Sequence, residues 1–298
     1  MTKLAQYQVG FVLLWTISLL VEWRSLVDTF ALSLRDEYTY ILLIFPISAA
    51  LIFLERRSLR TIVRLSVRTG SVFLAIAVLI ACSALGWSGS LPSDMQLSIR
   101  MFALVLWWIG AFVLCFGSRA SRWVLFPLCF LFGLVPFPQL FLNAIVALLQ
   151  QGSAWTAHIF FAAFGVPVVQ NGVLLTIPGL ALQVAQECSS IRSSSMLLVT
   201  TMVLAQLLLR SPWRKGLVIG LAVPLSVAKN GLRIFTIAML GTRVDRRYLT
   251  GRLHHEGGVV FFAMALIAVF ALLWIFRKGD DLSLNPESSP PSSMELLC

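Results

Sequence analysis

The stretch Gly257–Phe276, GGVVFFAMALIAVFALLWIF, carries no charged residue, and Arg277 and Lys278 close it. A helix needs about 20 mostly apolar residues to cross a bilayer. Runs of the same kind recur at 8–22, 38–54, 70–87, 99–117, 121–135, 195–210 and 214–240. They are continuous, without the polar–apolar alternation of a membrane barrel. Main-chain groups inside the bilayer must be paired within the segment, which a helix achieves. The sequence therefore predicts an all-α integral membrane protein with about eight transmembrane helices.

Composition agrees. Of the 298 residues 58% are hydrophobic and 12% charged, where soluble chains carry about a quarter charged. Mean hydropathy is +0.88. The net charge of +10 sits in short clusters between apolar runs, as the positive-inside rule expects. No basic tail or interleaved aromatic platform points to nucleic acid, so the bilayer is the expected partner. Lys3 and the apolar run Val9–Val21 lead into Glu22-Trp23-Arg24 without a small-residue cleavage site. A retained first span is the reading. The polytopic domain is drawn as 1–278, and the polar stretch 279–298, rich in Ser, Pro and acidic residues, as a disordered tail.

Loop charge sets the orientation. Residues 55–68 hold Arg56, Arg57, Arg60, Arg64 and Arg68 against Glu55 and are assigned to the cytoplasm. Residues 22–37, with Glu22, Asp28, Asp36 and Glu37, are assigned outside. Arg119, Arg122, Arg210, Arg214, Lys215, Arg277 and Lys278 then fall inside. Eight spans with both termini cytoplasmic satisfy all of these, in a cytoplasmic membrane. Segments 136–194 and 241–256 then lie outside. The latter carries Arg243, Arg246, Arg247 and Arg252. Such a basic outer loop is either a tolerated exception or a holder of something anionic.

The stretch from Pro136 to Glu187 fits no simple span. Leu140–Leu149 is short for one, Gln150-Gln151-Gly152-Ser153 reads as a break, and Trp155–Phe164 is short again. Short interfacial or re-entrant helices are predicted. Val173–Ile177 and Leu182–Val184 then read as short strands around Pro178-Gly179. Irregular backbone at membrane depth is tolerated only against protein or water, and so marks working sites.

Three polar groups fall at the outer ends of the last three spans. Cys188 stands in Gln-Glu-Cys-Ser-Ser, flanked by polar residues, whereas Cys82, Cys115 and Cys129 lie in apolar runs. It is either an ordinary cysteine opening a helix or a nucleophile whose thiolate the helix N-terminus favours. Arg233 follows Asn230-Gly231-Leu232 in an otherwise apolar stretch. It either snorkels to the interface or faces a partner or cavity, as an intramembrane charge ordinarily must. His254 precedes the last span, and His255 and Glu256 adjoin it. Adjacent helical residues do not point together, so a metal site is not predicted. Five cysteines with no CxxC give neither a disulfide framework nor zinc. No cofactor is called for. A thiol to attack a carbonyl, an imidazole to move its proton and a guanidinium to hold the oxyanion would together form a cysteine-enzyme site.

In order and context the three resemble the exosortase/archaeosortase family. The contexts are Glu187-Cys188-Ser189-Ser190, Asn230-Gly231-Leu232-Arg233-Ile234 and His254 ahead of Gly258-Val259-Val260-Phe261-Phe262. Upstream, Val135-Pro136-Phe137-Pro138, Gly165-Val166-Pro167-Val168 and Leu175-Thr176-Ile177-Pro178 fit as well. The likeness covers residues 38–276. It implies a membrane cysteine peptidase/transpeptidase that cleaves C-terminal sorting signals of exported proteins at the outer membrane face. Such signals are PEP-CTERM-like: a short motif, a span and a basic end. The resemblance carries Cys188 over as nucleophile, Arg233 as carbonyl and oxyanion stabiliser, and His254 as acid–base, with His255 as the fallback. Glu187 and Asn230 would support them. Many members have Cys-Ser-Gly where this chain has Cys188-Ser189-Ser190. Two competing readings are a transporter with Arg233 and the outer basic loop as an anion path, and a non-catalytic component of an envelope export system.

Overall fold

The computed structural model describes residues 3–56, 59, 63–87, 89–184, 191–245, 247 and 258–284. Cys188, Glu187, His254 and His255 lie outside the described residues. Among the described residues, six helices are long and apolar enough to cross a membrane, or up to eight if each of two bent pairs counts as one span. The chain is an all-α multi-pass membrane protein with one small sheet. Contacts divide it into two compact units, Met1–Ala144 and Ile145–Cys298.

The first unit begins with α1 (Lys3–Val21), which ends at Glu22, and α2 (Trp23–Ser33) departs at 75°. The sequence reads 22–37 as a loop, yet most of it is helix. α2 buries Ser25, Thr29 and Ser33 on one face and exposes Trp23, Val27, Phe30 and Leu34 on the other. The small hydroxyl residues satisfy themselves locally: Thr29 donates to the Ser25 carbonyl and Ser33 to that of Phe30. A single 3₁₀ turn, Asp36–Tyr38, leads to α3 (Ile41–Leu54). Next come α4 (Val67–Gly86) and α5 (Ser93–Phe116). α5 is the centre of this unit, with 67% of its apolar window buried. Its Trp108 packs between Trp15 and Phe45, and its Arg100 pairs with Glu22 at 3.5 Å.

The fifth predicted span, 121–135, is interrupted. It is built from α6 (Ser118–Trp123), α7 (Leu125–Phe130) and a 3₁₀ turn (Leu131–Leu134). A 100° bend then leads into α8 (Gln139–Ala163). α8 corrects the prediction of two short helices with a break: it is one helix of 25 residues running through Gln150-Gln151-Gly152-Ser153. The physical reason is that these polar groups are used inside the fold. Gln150 Nε2 donates to the Val184 carbonyl, and Ser153 is buried as a hydrogen-bond acceptor.

The second unit contains the remainder of α8, the sheet and three long helices. Strands β1 (Val169–Asn171), β2 (Leu174–Ile177) and β3 (Leu180–Gln183) form an antiparallel meander in the order β1-β2-β3. Both turns depend on glycine at positive φ, Gly172 at 61° and Gly179 at 80°. Pro178 before Gly179 is the signature of a type II turn. Leu175 and Ile177 alternate inward from β2 and join Ala154, Ala157, Phe161, Phe235 and Ala238 in one core. Helices α9 (Ile191–Leu208), α10 (Pro212–Arg243) and α11 (Gly258–Leu284) pack through a second core of Leu197, Val218, Ala265, Val269 and Leu273. α10 has 32 residues, about 48 Å of helix, more than a hydrocarbon core of about 30 Å requires. α11 continues through Leu284, past the 278/279 boundary drawn from composition.

Candidate functional site

The polar face of α10 organises the second unit. Asn230 is 1% exposed, and its Nδ2 donates to Ser153 Oγ of α8 at 2.9 Å. Lys229, one residue earlier, is also buried and bonds through Nζ to Ser193 Oγ, in the first turn of α9. Ser226 Oγ donates to Ser194 Oγ at 2.6 Å. An unpaired polar group costs several kcal/mol in hydrocarbon, so these bonds hold α8, α9 and α10 in one register. Arg233 follows Lys229 by one turn on the same helix face, within electrostatic reach of it.

Close approach makes the bonds possible. At Gly231 a Cβ would stand 2.6 Å from Thr156 Cβ and 2.9 Å from the Ala157 nitrogen. Only glycine lets α8 and α10 cross so closely, the small-residue solution of membrane helices. Just beyond the crossing, Phe235 rests edge-on to Phe161 at 5.1 Å and alongside Phe164 at 5.0 Å.

Beside this face lies a hollow of about 80 Å³ lined by Leu182, Gln183, Val184, Asn230, Arg233 and Ile237. Its sheet-side wall is the end of β3 with Val184. Val184 is held from two directions, accepting from Gln150 at 3.0 Å and donating its N–H to the Val173 carbonyl at 3.0 Å. Six residues, 185–190, then lead to Ile191 and to Ser193 on Lys229.

The structure thus brings Asn230 and Arg233, two of the residues singled out from sequence, to one face beside the last residue before 185–190. Sequence reasoning passed over Lys229. Its signal was available: a lysine within the predicted span 214–240 is by default a functional-site hypothesis. Ser153 and Gln150 were read as a helix break, and Ser193 carried no signal of its own.

A family model described as transmembrane exosortase (Exosortase_EpsH) matches residues 23–271. The chain belongs to the transmembrane exosortase family. No curated protein and no solved structure matches. The exosortase match spans both units and every site residue named above, including Cys188 and His254. Membership makes the chain a membrane-embedded enzyme of protein sorting, acting on proteins that carry sorting signals.

Proposed function

We propose that this exosortase is a cysteine transpeptidase that cleaves PEP-CTERM-like C-terminal signals at the outer face of the cytoplasmic membrane, with both termini cytoplasmic. The Cys188 thiolate attacks the scissile carbonyl carbon while Arg233 holds the developing oxyanion. The C–N bond breaks, and His254 delivers the proton to the leaving amine, with His255 as its fallback. A thioester remains on Cys188. Water or an amine attacks it, gives up a proton to the imidazole, and restores the thiol. Asn230 supports Arg233 by fixing α10 on α8, and Glu187 supports the nucleophile. The polytopic domain 1–278 carries all of these groups.

The observation that supports this reading is that both described stems of the Cys188 segment end beside the polar face of α10. Val184 lines the same hollow as Arg233, and Ser193 bonds to Lys229. In sequence Cys188 is four residues from the one and five from the other, at most about 14 Å and about 17 Å of extended chain.

The test is processing of a co-expressed, tagged sorting-signal reporter, read as a size shift. Wild type, Cys188→Ala, Cys188→Ser and His254→Ala are compared at equal membrane levels. Cleavage by wild type that vanishes in Cys188→Ala is the expected result. Equal cleavage by Cys188→Ala removes the nucleophile from the account.

A further inference from the structure

We infer that the free edge of β3 is the substrate-binding strand: the enzyme takes its sorting signal as an extended polypeptide added beside Leu180–Gln183. The inference rests on the cysteine transpeptidase reading and names how that site grips its substrate.

The hydrogen-bond parity of the sheet identifies the open groups. β2 and β3 pair with Leu175 opposite Leu182 and Ile177 opposite Leu180, and the Val184 N–H donates to the Val173 carbonyl. Bonded and non-bonded pairs alternate along an antiparallel ladder. Leu180 and Leu182 therefore spend their main-chain groups on β2, as Val184 does its N–H, while the Val184 carbonyl accepts from Gln150. Ala181 and Gln183 turn theirs to the other side. β3 is an edge strand, and both residues are exposed. Among the described residues nothing bonds to those four outward N–H and C=O groups.

Soluble proteins protect such an edge with a lysine, a proline, a bulge or a covering segment. Leu180-Ala181-Leu182-Gln183 has neither lysine nor proline, and it pairs with β2 without a bulge. Among the described residues the edge is uncovered, and an uncovered edge is what strand addition uses, with main-chain bonds giving affinity and alternate side-chain pockets giving selectivity. Here the pocket is present: the hollow between Leu182, Val184, Arg233 and Ile237 borders the open edge. Cys188 follows Gln183 by five residues, at most about 17 Å of chain. A proteolytic nucleophile needs its substrate extended, because folded main chain hides its carbonyls.

Proline at an outward position removes one donor to the substrate and leaves every bond to β2 intact. The opposite edge supplies the control: Asn171 and Val169 pair with Leu174 and Thr176 of β2, so the Gln170 N–H points outward from β1. In proteoliposomes holding the full chain and the tagged reporter, Ala181→Pro and Gln183→Pro are expected to raise KM about three- to tenfold, the value of one hydrogen bond. The expected kcat and the labelling rate of Cys188 by a small methanethiosulfonate are those of wild type, and Gln170→Pro behaves as wild type throughout. A photo-crosslinking residue at position 183 should capture the reporter, and one at position 170 should not. That arm keeps the proposal testable if a proline variant does not fold. Wild-type KM in both β3 variants, or equal crosslinking from 170 and 183, overturns the edge assignment. If Cys188→Ala processes the reporter normally, the transpeptidase reading falls first. If Cys188 is required while the β3 variants are neutral and give no crosslink, only the edge proposal falls.

Discussion

Replacing Gly231 with alanine disturbs the site without altering a reactive group. The new Cβ would stand 2.6 Å from Thr156 Cβ, 2.8 Å from its Cγ2 and 2.9 Å from the Ala157 nitrogen, where ordinary contact begins at 3.4 Å. A Cβ and a main-chain nitrogen cannot rotate away, so α8 and α10 must separate locally by about 0.8 Å. The 2.9 Å bond from Asn230 to Ser153 then stretches toward about 3.7 Å, beyond bonding range. Overpacking costs roughly 1–3 kcal/mol and the lost bond about 0.5–1.5 kcal/mol. The combined loss is about 2–4 kcal/mol, and Arg233, two residues further on, moves with the helix. Unfolding of the purified protein in detergent measures the loss. A double-mutant cycle with Ser153→Ala isolates its cause. In wild type, Ser153→Ala should cost the full value of the bond. In the Gly231→Ala background it should cost almost nothing. Stability of Gly231→Ala within about 0.5 kcal/mol of wild type, or fully additive losses, would refute the crossing as described.

Lys229→Met removes the bond to Ser193 but retains the length of the stem. Replacing a buried ammonium by an apolar chain changes stability by little, about 1 kcal/mol in either direction. Reporter processing should nevertheless fall at least tenfold, with Lys229→Arg recovering part of it, as equal-expression assays would reveal. Phe235→Ala empties the aromatic cluster against Phe161 and Phe164 and should cost about 3–5 kcal/mol in a denaturation experiment.

The long spans were legible because an uninterrupted apolar run of 20 residues has almost no other use. The sheet was legible in part: Pro178-Gly179 marked its second turn. Strand β1 was missed because Asn171 and Gly172 read as punctuation, when they are a strand end and a turn. Gln150 and Ser153 misled for a related reason. In a membrane chain polar residues suggest a break, but a helix can aim them at partners that are distant in sequence, here Val184 and Asn230. The bend at Glu22 was hidden because the residues after it are helical, with a polar rather than an apolar buried face. At the site, Arg233 stood out against its apolar surroundings. Lys229 carried the same signal, a charge within an apolar span, but its partner, a serine 36 residues away, is visible only in the fold.

The most direct test of the central claim is the mass of the acid-quenched enzyme during turnover of the reporter. The account predicts an adduct of the reporter's N-terminal fragment, joined through its new C-terminal carbonyl to the peptide containing Cys188 and released by neutral hydroxylamine as a thioester is. An adduct on another residue, or undiminished turnover by Cys188→Ala, would contradict it.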